Sequence, residues 1–384
     1  MNIHVAGIGI TKFGELWDSS PRSLARFAGM QALTDAGLEA ADIDGLVVAN
    51  MLSGMLGNQE HLGALFAEEL GLSHVPAMKV EGACASGGLA IHTAINGLLS
   101  GQYKRVMVLG VEKMTDHKPE SVSSALIGAG NNEERLSGMT FPGVYALLAR
   151  AHMERYGTTE EQLASVAVKN HFHGNFNPNA QFHTLLTVEK VMKSACVADP
   201  LKLLDCSPIS DGAAAVILSM NHEPRTKNTV SILTSEIATD SLGVAQRSDL
   251  TALIATSIAA EKAYKKASIS IRDIDVVEVH DCFTIGEVLA MEDLGFYEKG
   301  KAAAGIAAGE TTLGVSKKLV VNTSGGLKGC GHPVGATGVK QIVEITEQLR
   351  GTAGKRQVKD ARIGLTQNVG GSGATSVIHI LTNK

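Results

Sequence analysis

The sequence predicts an α/β protein with a mainly parallel or mixed sheet, built from two similar halves with a long insertion in the first. Three observations carry that expectation. Short β-branched runs alternate with segments of helical length, the mark of strand–helix units. A stretch of eight residues recurs 231 positions later in the chain. Roughly 100 residues then separate two strand candidates of the first half, too long for a simple connection.

In chain order, strand candidates fall at 3–10, 45–50, 105–110, 213–219, 230–237, 275–279, 319–322, 363–367 and 376–381. Helical segments lie between them at 23–36, 87–99, 250–267 and 334–349. The repeat is Ala41-Asp42-Ile43-Asp44-Gly45-Leu46-Val47-Val48 against Arg272-Asp273-Ile274-Asp275-Val276-Val277-Glu278-Val279, with Ala32 and Ala36 falling on Ala263 and Ala267. Each copy reads as a helix, a short polar turn and a buried strand, which makes the chain a duplicated unit with halves at 1–225 and 226–384. The insertion, about 112–210, is polar and turn-rich, notably over His171-Phe172-His173-Gly174-Asn175-Phe176-Asn177-Pro178-Asn179, and is expected to be a lid or binding loop. His171 and His173 lack the cysteine or carboxylate spacing of a metal site and read as solvated loop histidines, so no metal is expected.

Composition narrows the function. Of 384 residues, 44% are hydrophobic, enough for a large core. Lys and Arg number 34 against 39 acidic residues, a net charge of −5, which argues against a nucleic-acid or polybasic membrane binder. Five cysteines do not make a disulfide framework in a chain this long; they point to a reducing compartment, where a thiol is more readily chemical than structural. No signal peptide, no apolar run of ~18 residues and no C-terminal peroxisomal tripeptide is visible, so a soluble, cytoplasmic protein is expected.

Four segments could carry chemistry, each at a strand-to-helix or strand-to-loop junction, where open α/β sheets place their sites. In Glu81-Gly82-Ala83-Cys84-Ala85-Ser86-Gly87-Gly88, Cys84 opens a helix whose dipole would favour thiolate; a small buried hydrophobe is the alternative. In His280-Asp281-Cys282-Phe283, two ionisable groups and a thiol end a strand, with a capping Asp281 beside a core cysteine as the alternative. In the stretch from Asn322 to Gly338, Pro333 fixes the backbone at a helix entrance and holds His332 as a base suited to activating a thiol; Cys330 is a loop thiol without a role. In Asn368-Val369-Gly370-Gly371-Ser372-Gly373, glycines let backbone N–H groups meet a ligand oxygen, and also suit a tight hairpin.

In that order, on a duplicated α/β chain, the four segments resemble those of the thiolase superfamily over essentially the whole length. Cys84 in C-A-S-G looks like the acylated cysteine of a C-x-S motif. His280–Phe283, H-D-C-F, looks like the signature of sterol-carrier-protein-2 type and archaeal thiolases, and Gly331-His332-Pro333 matches a G-H-P motif. The last motif departs: where the family has C-x-G, this chain has Asn368-Val369-Gly370. The resemblance then implies that Cys282 is the second catalytic thiol, and that the Gly370 N–H joins that of Cys84 in an oxyanion hole. It implies a five-layer α-β-α-β-α fold of two similar halves with an inserted loop domain over a coenzyme A site. It further implies coenzyme A thioesters as substrates with no tightly bound cofactor, and a place in lipid metabolism. The reaction would be thiolytic cleavage of a 3-ketoacyl-CoA such as acetoacetyl-CoA, or the reverse condensation, with His280 and His332 binding an enolate oxygen. A homodimer or homotetramer is implied, with a small OB-fold protein or a synthase as possible partners. Relatives in the same branch transfer acyl groups to carbon acceptors other than coenzyme A or run retro-aldol chemistry; the retained Cys84 counts against the latter. A thiolase-like subunit without catalysis in a larger complex is the reading of another class, against which Cys84, Cys282 and His332 all stand.

Overall fold

The computed structural model describes residues 3–220, 229–316 and 319–384. The chain begins with β1 (Ile3–Ile10), α1 (Pro21–Ala36), β2 (Gly45–Ala49), α2 (Ser53–Gly57), α3 (Leu62–Glu69), β3 (Ala77–Val80), α4 (Ser86–Leu99) and β4 (Arg105–Glu112). Helices α5 (Pro119–Leu126), α6 (Asn132–Leu136), α7 (Phe141–Tyr156), α8 (Glu160–Gly174) and α9 (Val188–Met192) follow, then a short ribbon of β5 (Cys196–Ala198) and β6 (Leu201–Lys202), before β7 (Gly212–Ser219). The remainder is β8 (Val230–Thr239), α10 (Ile254–Ala267), β9 (Val276–Glu278), α11 (Thr284–Asp293), α12 (Ala302–Ala307), β10 (Val320–Val321), α13 (Gly326–Cys330), α14 (Val334–Arg350), β11 (Ile363–Gly370) and β12 (Thr375–Thr382).

Ten strands make one hydrogen-bonded sheet in the order β3-β2-β4-β7-β1-β8-β12-β11-β9-β10. Its two five-strand parts have the same arrangement: β1-β7-β4-β2-β3 on one side of the β1–β8 junction and β8-β12-β11-β9-β10 on the other. The pairs at the two ends of this series are parallel (β2 with β3 and β4; β9 with β10 and β11) and those near the junction antiparallel. The repeated Asp-Ile-Asp has the same work in both parts. Asp42 and Asp273 each accept from the backbone at the start of their own 3₁₀ turn, from Glu39 N at 2.9 Å and Ser270 N at 2.8 Å. Asp44 accepts from Lys104 and Arg105 N, and Asp275 from Arg362 and Ile363 N, so each ties down the start of a neighbouring strand. Ile43 and Ile274 are buried between them.

Alternation along the strands sets the layers. On β4, Val106 and Val108 face inward to Ile91 of α4 and Val339 of α14, while Met107, Leu109 and Val111 face outward to Leu24, Ala28 and Ala32 of α1. On the other side, Ile378 and Ile380 of β12 pack on Ala255, Ala259 and Ala263 of α10. Helices α4 and α14 touch strands of both parts, and the stacking is α-β-α-β-α. Among the described residues no helix is long and apolar enough to cross a membrane.

The expectation that the insertion is polar loop is corrected: it is mostly helical. Thr140, Thr159 and Thr187 cap α7, α8 and α9, with Gln162 completing a capping box at α8. Val144, Leu148, Leu163 and Val166 join the core beneath β9 and α11, so what reads as polar along the chain has a buried apolar face. His171 and His173 are corrected with it. Both are buried at the end of α8; His173 is held between the Asn322 carbonyl (3.0 Å) and the Leu313 N–H (2.9 Å), and His171 lies 3.2 Å from the Thr184 carbonyl. The boundary drawn at 225/226 lies outside the described residues.

Candidate active site

Cys84 sits on an elbow between β3 and α4. Ala83 before it has φ +54°, an unfavourable conformation for a residue with a Cβ. Its neighbours hold it there: Ala83 N donates to Glu81 Oε1 (2.5 Å), and the Ser86 hydroxyl donates to the Ala83 carbonyl (2.6 Å) while accepting from Gly82 N (3.0 Å). Helix α4 begins two residues later, at Ser86, and Cys84 is buried. The expected thiolate is corrected accordingly. Burial, reinforced by the Glu112 carboxylate, pushes the thiol up to about 12, although the N–H groups of Gly371 and of Cys84 itself face the sulfur and work the other way.

His332 is delivered from the opposite side. Asp281 caps α13, accepting from Leu327 N (2.7 Å) and Lys328 N (3.3 Å), so this carboxylate has a structural task. Burial and the nearby Glu287 raise it to about 6. Cys330 ends the same helix, buried, with the Asn177 amide donating to its sulfur. Gly331 turns the chain at φ +108°, where a Cβ would lie 2.9 Å from Ser210 Oγ, and that hydroxyl accepts from His332 N at 2.9 Å. The Thr337 hydroxyl donates to the Pro333 carbonyl (3.0 Å) and lies 2.7 Å from His332 Nδ1. It therefore accepts the Nδ1 proton and leaves Nε2 with a free lone pair. Burial and His280 hold the imidazole well below its usual range, hence neutral.

His280 takes the other tautomer. Asn368 Oδ1 accepts from Gly88 N (2.9 Å), which orients the amide so that Nδ2 donates to the Cys84 carbonyl (3.0 Å) and to His280 Nδ1 (3.3 Å). The proton of His280 is therefore on Nε2, which has no hydrogen-bond partner among the described residues. Burial lowers this histidine to about 3. The two rings meet edge to face at 5.0 Å, and one donor atom each from Cys84, His280 and His332 lie within 4.8 Å of one another, the convergence a bound metal ion would also need.

Cys282 completes the wall. Its carbonyl accepts from Ser207 N (2.9 Å), burial raises its thiol well above the ordinary range, and Cys84 lies near enough to add to that. Cys84, Cys282 and His332 share a cavity of about 170 Å³ with Met114, Phe141, Tyr145, Ile209, Phe283, Val334 and Gly371. The structure thus brings together Cys84, Cys282, His280 and His332. Gly370 ends β11 beside them, its α-carbon against the Gly82 carbonyl, but the N–H facing the Cys84 sulfur is that of Gly371. Tyr145 and Ser210 were missed, since neither belongs to a recognisable pattern in the insertion. Asn368 was visible only as a departure from C-x-G.

A neutral thiol on a strained elbow, a histidine with a bare Nε2, backbone N–H groups and a second thiol are the parts of an enzyme that works through an acyl-cysteine. Residues 3–222 match the family model "Thiolase, N-terminal domain" and residues 237–383 match "Thiolase C-terminal domain-like". The chain is similar to an acetyl-CoA acetyltransferase of Methanothermobacter thermautotrophicus, 49% identical over 384 residues with 99% of each chain covered. It is also similar to sterol carrier protein 2 of Gallus gallus, 35% identical over 98% of this chain and 71% of that one. Among solved structures, the Ltp2-ChsH2(DUF35) aldolase superposes with a TM-score of 0.83 at 25% identity, covering 99% of this chain and 97% of that one. The chain belongs to the thiolase family; it is an acyltransferase with coenzyme A thioesters as substrates.

Proposed function

We propose that this thiolase condenses two acetyl-CoA and cleaves acetoacetyl-CoA, with Cys84 as nucleophile. The observation carrying this reading is the convergence of Cys84, His280 and His332 on a cavity that Cys282 also lines. His332 Nε2 takes the Cys84 proton as the sulfur attacks the thioester carbonyl; the oxyanion is met by the N–H groups of Cys84 and Gly370, with that of Gly371 adjacent. The thiolate of the departing coenzyme A recovers the proton. In the second half-reaction the enolate oxygen is bound by His280 Nε2–H and by His332 in its other tautomer, reached by giving the Nδ1 proton to solvent and taking one at Nε2, with the Thr337 hydroxyl rotated to donate to Nδ1. Cys282 moves the α-proton. The name of the archaeal relative supports the acetyl group, and the small, largely apolar cavity suits a short acyl chain.

The division at 1–225 and 226–384, the insertion at 112–210, a cytoplasmic setting, a role in lipid metabolism and a homo-oligomer belong to the same reading. The repeated strand order supports the division. An OB-fold or synthase partner is supported by the two-component name of the aldolase neighbour.

Intact mass after incubation with acetyl-CoA, followed by acetoacetyl-CoA cleavage with added coenzyme A, tests the reading. Cys84→Ala is expected to abolish the acetyl adduct and all turnover. Cys282→Ala should keep the adduct and lose carbon–carbon cleavage by at least about a hundredfold. Equal loss of both half-reactions in Cys282→Ala would overturn this division of labour.

A further inference from the structure

The helical insertion sends one side chain into the cavity that the two thiols share. Tyr145 of α7 is fully buried, its ring stacked on Phe283 at a centroid distance of 4.6 Å and 30° between planes. Its hydroxyl donates to the Gly371 carbonyl at 3.1 Å, and the N–H of that same residue faces the Cys84 sulfur. The Tyr145 and Cys282 side chains also line the same cavity, close enough for each to shift the ionisation of the other. A phenol has one proton, so it can serve only one of these acceptors at a time. Beside a neutral Cys282 the carbonyl is the better acceptor; beside a thiolate, the charged sulfur is.

We propose that Tyr145 is a positioning residue for the carbon–carbon step, its O–H turning from the Gly371 carbonyl to the Cys282 sulfur whenever that thiol is ionised. The proposal rests on the assignment of Cys282 as the α-proton carrier. In the condensation direction the substrate C–H bond breaks, an S–H bond forms at Cys282, and the electron pair moves to the thioester oxygen as an enolate. The base in this step is the Cys282 thiolate, formed when the thiol loses its proton to solvent before the second acetyl-CoA closes the cavity; once water is excluded, the Tyr145 O–H adds to the Phe283 N–H the donor that solvent would otherwise provide. The thiol's return to neutrality sends the O–H back to Gly371. Of the other groups facing Cys282, Cys84 and Asp281 add only negative charge when ionised, and the Phe283 N–H is a donor already fixed by the backbone; His332 converges with Cys84 instead, which leaves Tyr145 as the donor that can turn. The nearby Arg247 is occupied with Ser372, donating to its carbonyl (2.7 Å) and hydroxyl (3.0 Å).

The test is Tyr145→Phe, which keeps the stacked ring and removes only the O–H. Acetylation of Cys84 by acetyl-CoA, followed by intact mass, should stay within about threefold of wild type, whereas exchange of the acetyl-CoA methyl protons in D₂O should fall at least about tenfold. In a Cys84→Ala background, the pH at which Cys282 becomes alkylated should move upward on Tyr145→Phe. Incorporating 3-fluorotyrosine at 145, a more acidic donor with an intact ring, should move it downward and also covers the case in which Tyr145→Phe folds poorly. Unchanged exchange and alkylation profiles, or equal loss of acetylation and exchange, would overturn the proposal. Absence of an acetyl adduct in wild-type protein would instead bring down the Cys84 assignment beneath it.

Discussion

Asn368 stands where relatives are expected to have a cysteine, and its amide settles which nitrogen of His280 has the proton. Because Gly88 N occupies Oδ1, the NH₂ group must face His280 Nδ1, and Nε2–H is left as the donor toward the cavity. Asn368→Asp would place an acceptor there, draw the proton to Nδ1 and remove the Nε2–H donor. The expected result is a loss of about a hundredfold in condensation, typical of removing one oxyanion donor, as read from acetoacetyl-CoA formation. The Cys84 and His332 pair makes a second prediction at this scale. With the thiol pushed up to about 12 and the imidazole held low, both are neutral at rest. Alkylation of Cys84 by iodoacetamide should therefore keep rising with pH from 6 to 10; a plateau near neutrality would reveal a preformed thiolate–imidazolium pair instead.

Helices α4 and α14 cross almost backbone to backbone between the layers, and that crossing brings the Cys84 elbow to the His332 turn. A Cβ on Gly338 would lie 2.3 Å from both Gly88 N and Asn368 Oδ1, and one on Gly87 would lie 2.7 Å from Gly338 N. Gly338→Ala should push the helices apart, cost about 3 kcal/mol by overpacking and remove most of the activity. Gly57→Ala, with nothing within 4 Å of the new methyl, should leave urea midpoint and turnover nearly unchanged. The glycines of GHPVGATG and of C-A-S-G-G are visible in the sequence, but their purpose is not, because each answers to a partner in a distant part of the chain, as Gly338 does to Gly87 and Gly88. The helices of the insertion were hidden for a related reason. Their polar residues are satisfied by distant groups, as when Asn170 donates to Asp281 (2.6 Å) and Glu287 (2.8 Å), so polarity along the chain was a poor guide to exposure.

For the molecule as a whole, burial of titratable groups makes stability depend on pH. His92, His171, His173, His280, His332 and His379 are all lowered, chiefly by desolvation. Each takes up a proton on unfolding below its ordinary pKa of 6.5, so its contribution is present above 6.5 and falls as pH falls toward the folded value. Glu112 and Glu347, raised to about 7, Asp281, raised to about 6, and Asp205 and Asp293, also raised by burial, act in the opposite sense, favouring the fold at low pH and losing that as pH rises through their folded values. The histidines outnumber them, so between pH 6.5 and 5 the net effect is a loss of stability, about 1.4 kcal/mol per pH unit for each net proton. The melting temperature at pH 5 should lie below that at pH 6.5, with net proton uptake on unfolding; a higher value at pH 5 would mean the carboxyls dominate.

What the sequence by itself determined is local: the strand and helix order, the Asp-Ile-Asp repeat and the motifs around Cys84, His280, Cys282 and His332. Each of these is written in a few consecutive residues whose period, turn chemistry and residue type act over one element. The tertiary structure decided the rest: a thiol kept neutral, opposite tautomers for two adjacent histidines, a carboxylate used as a cap, and Tyr145 in the cavity of both thiols. Those properties depend on desolvation and on hydrogen-bond partners contributed from elsewhere in the chain, which exist only once the layers have closed around them.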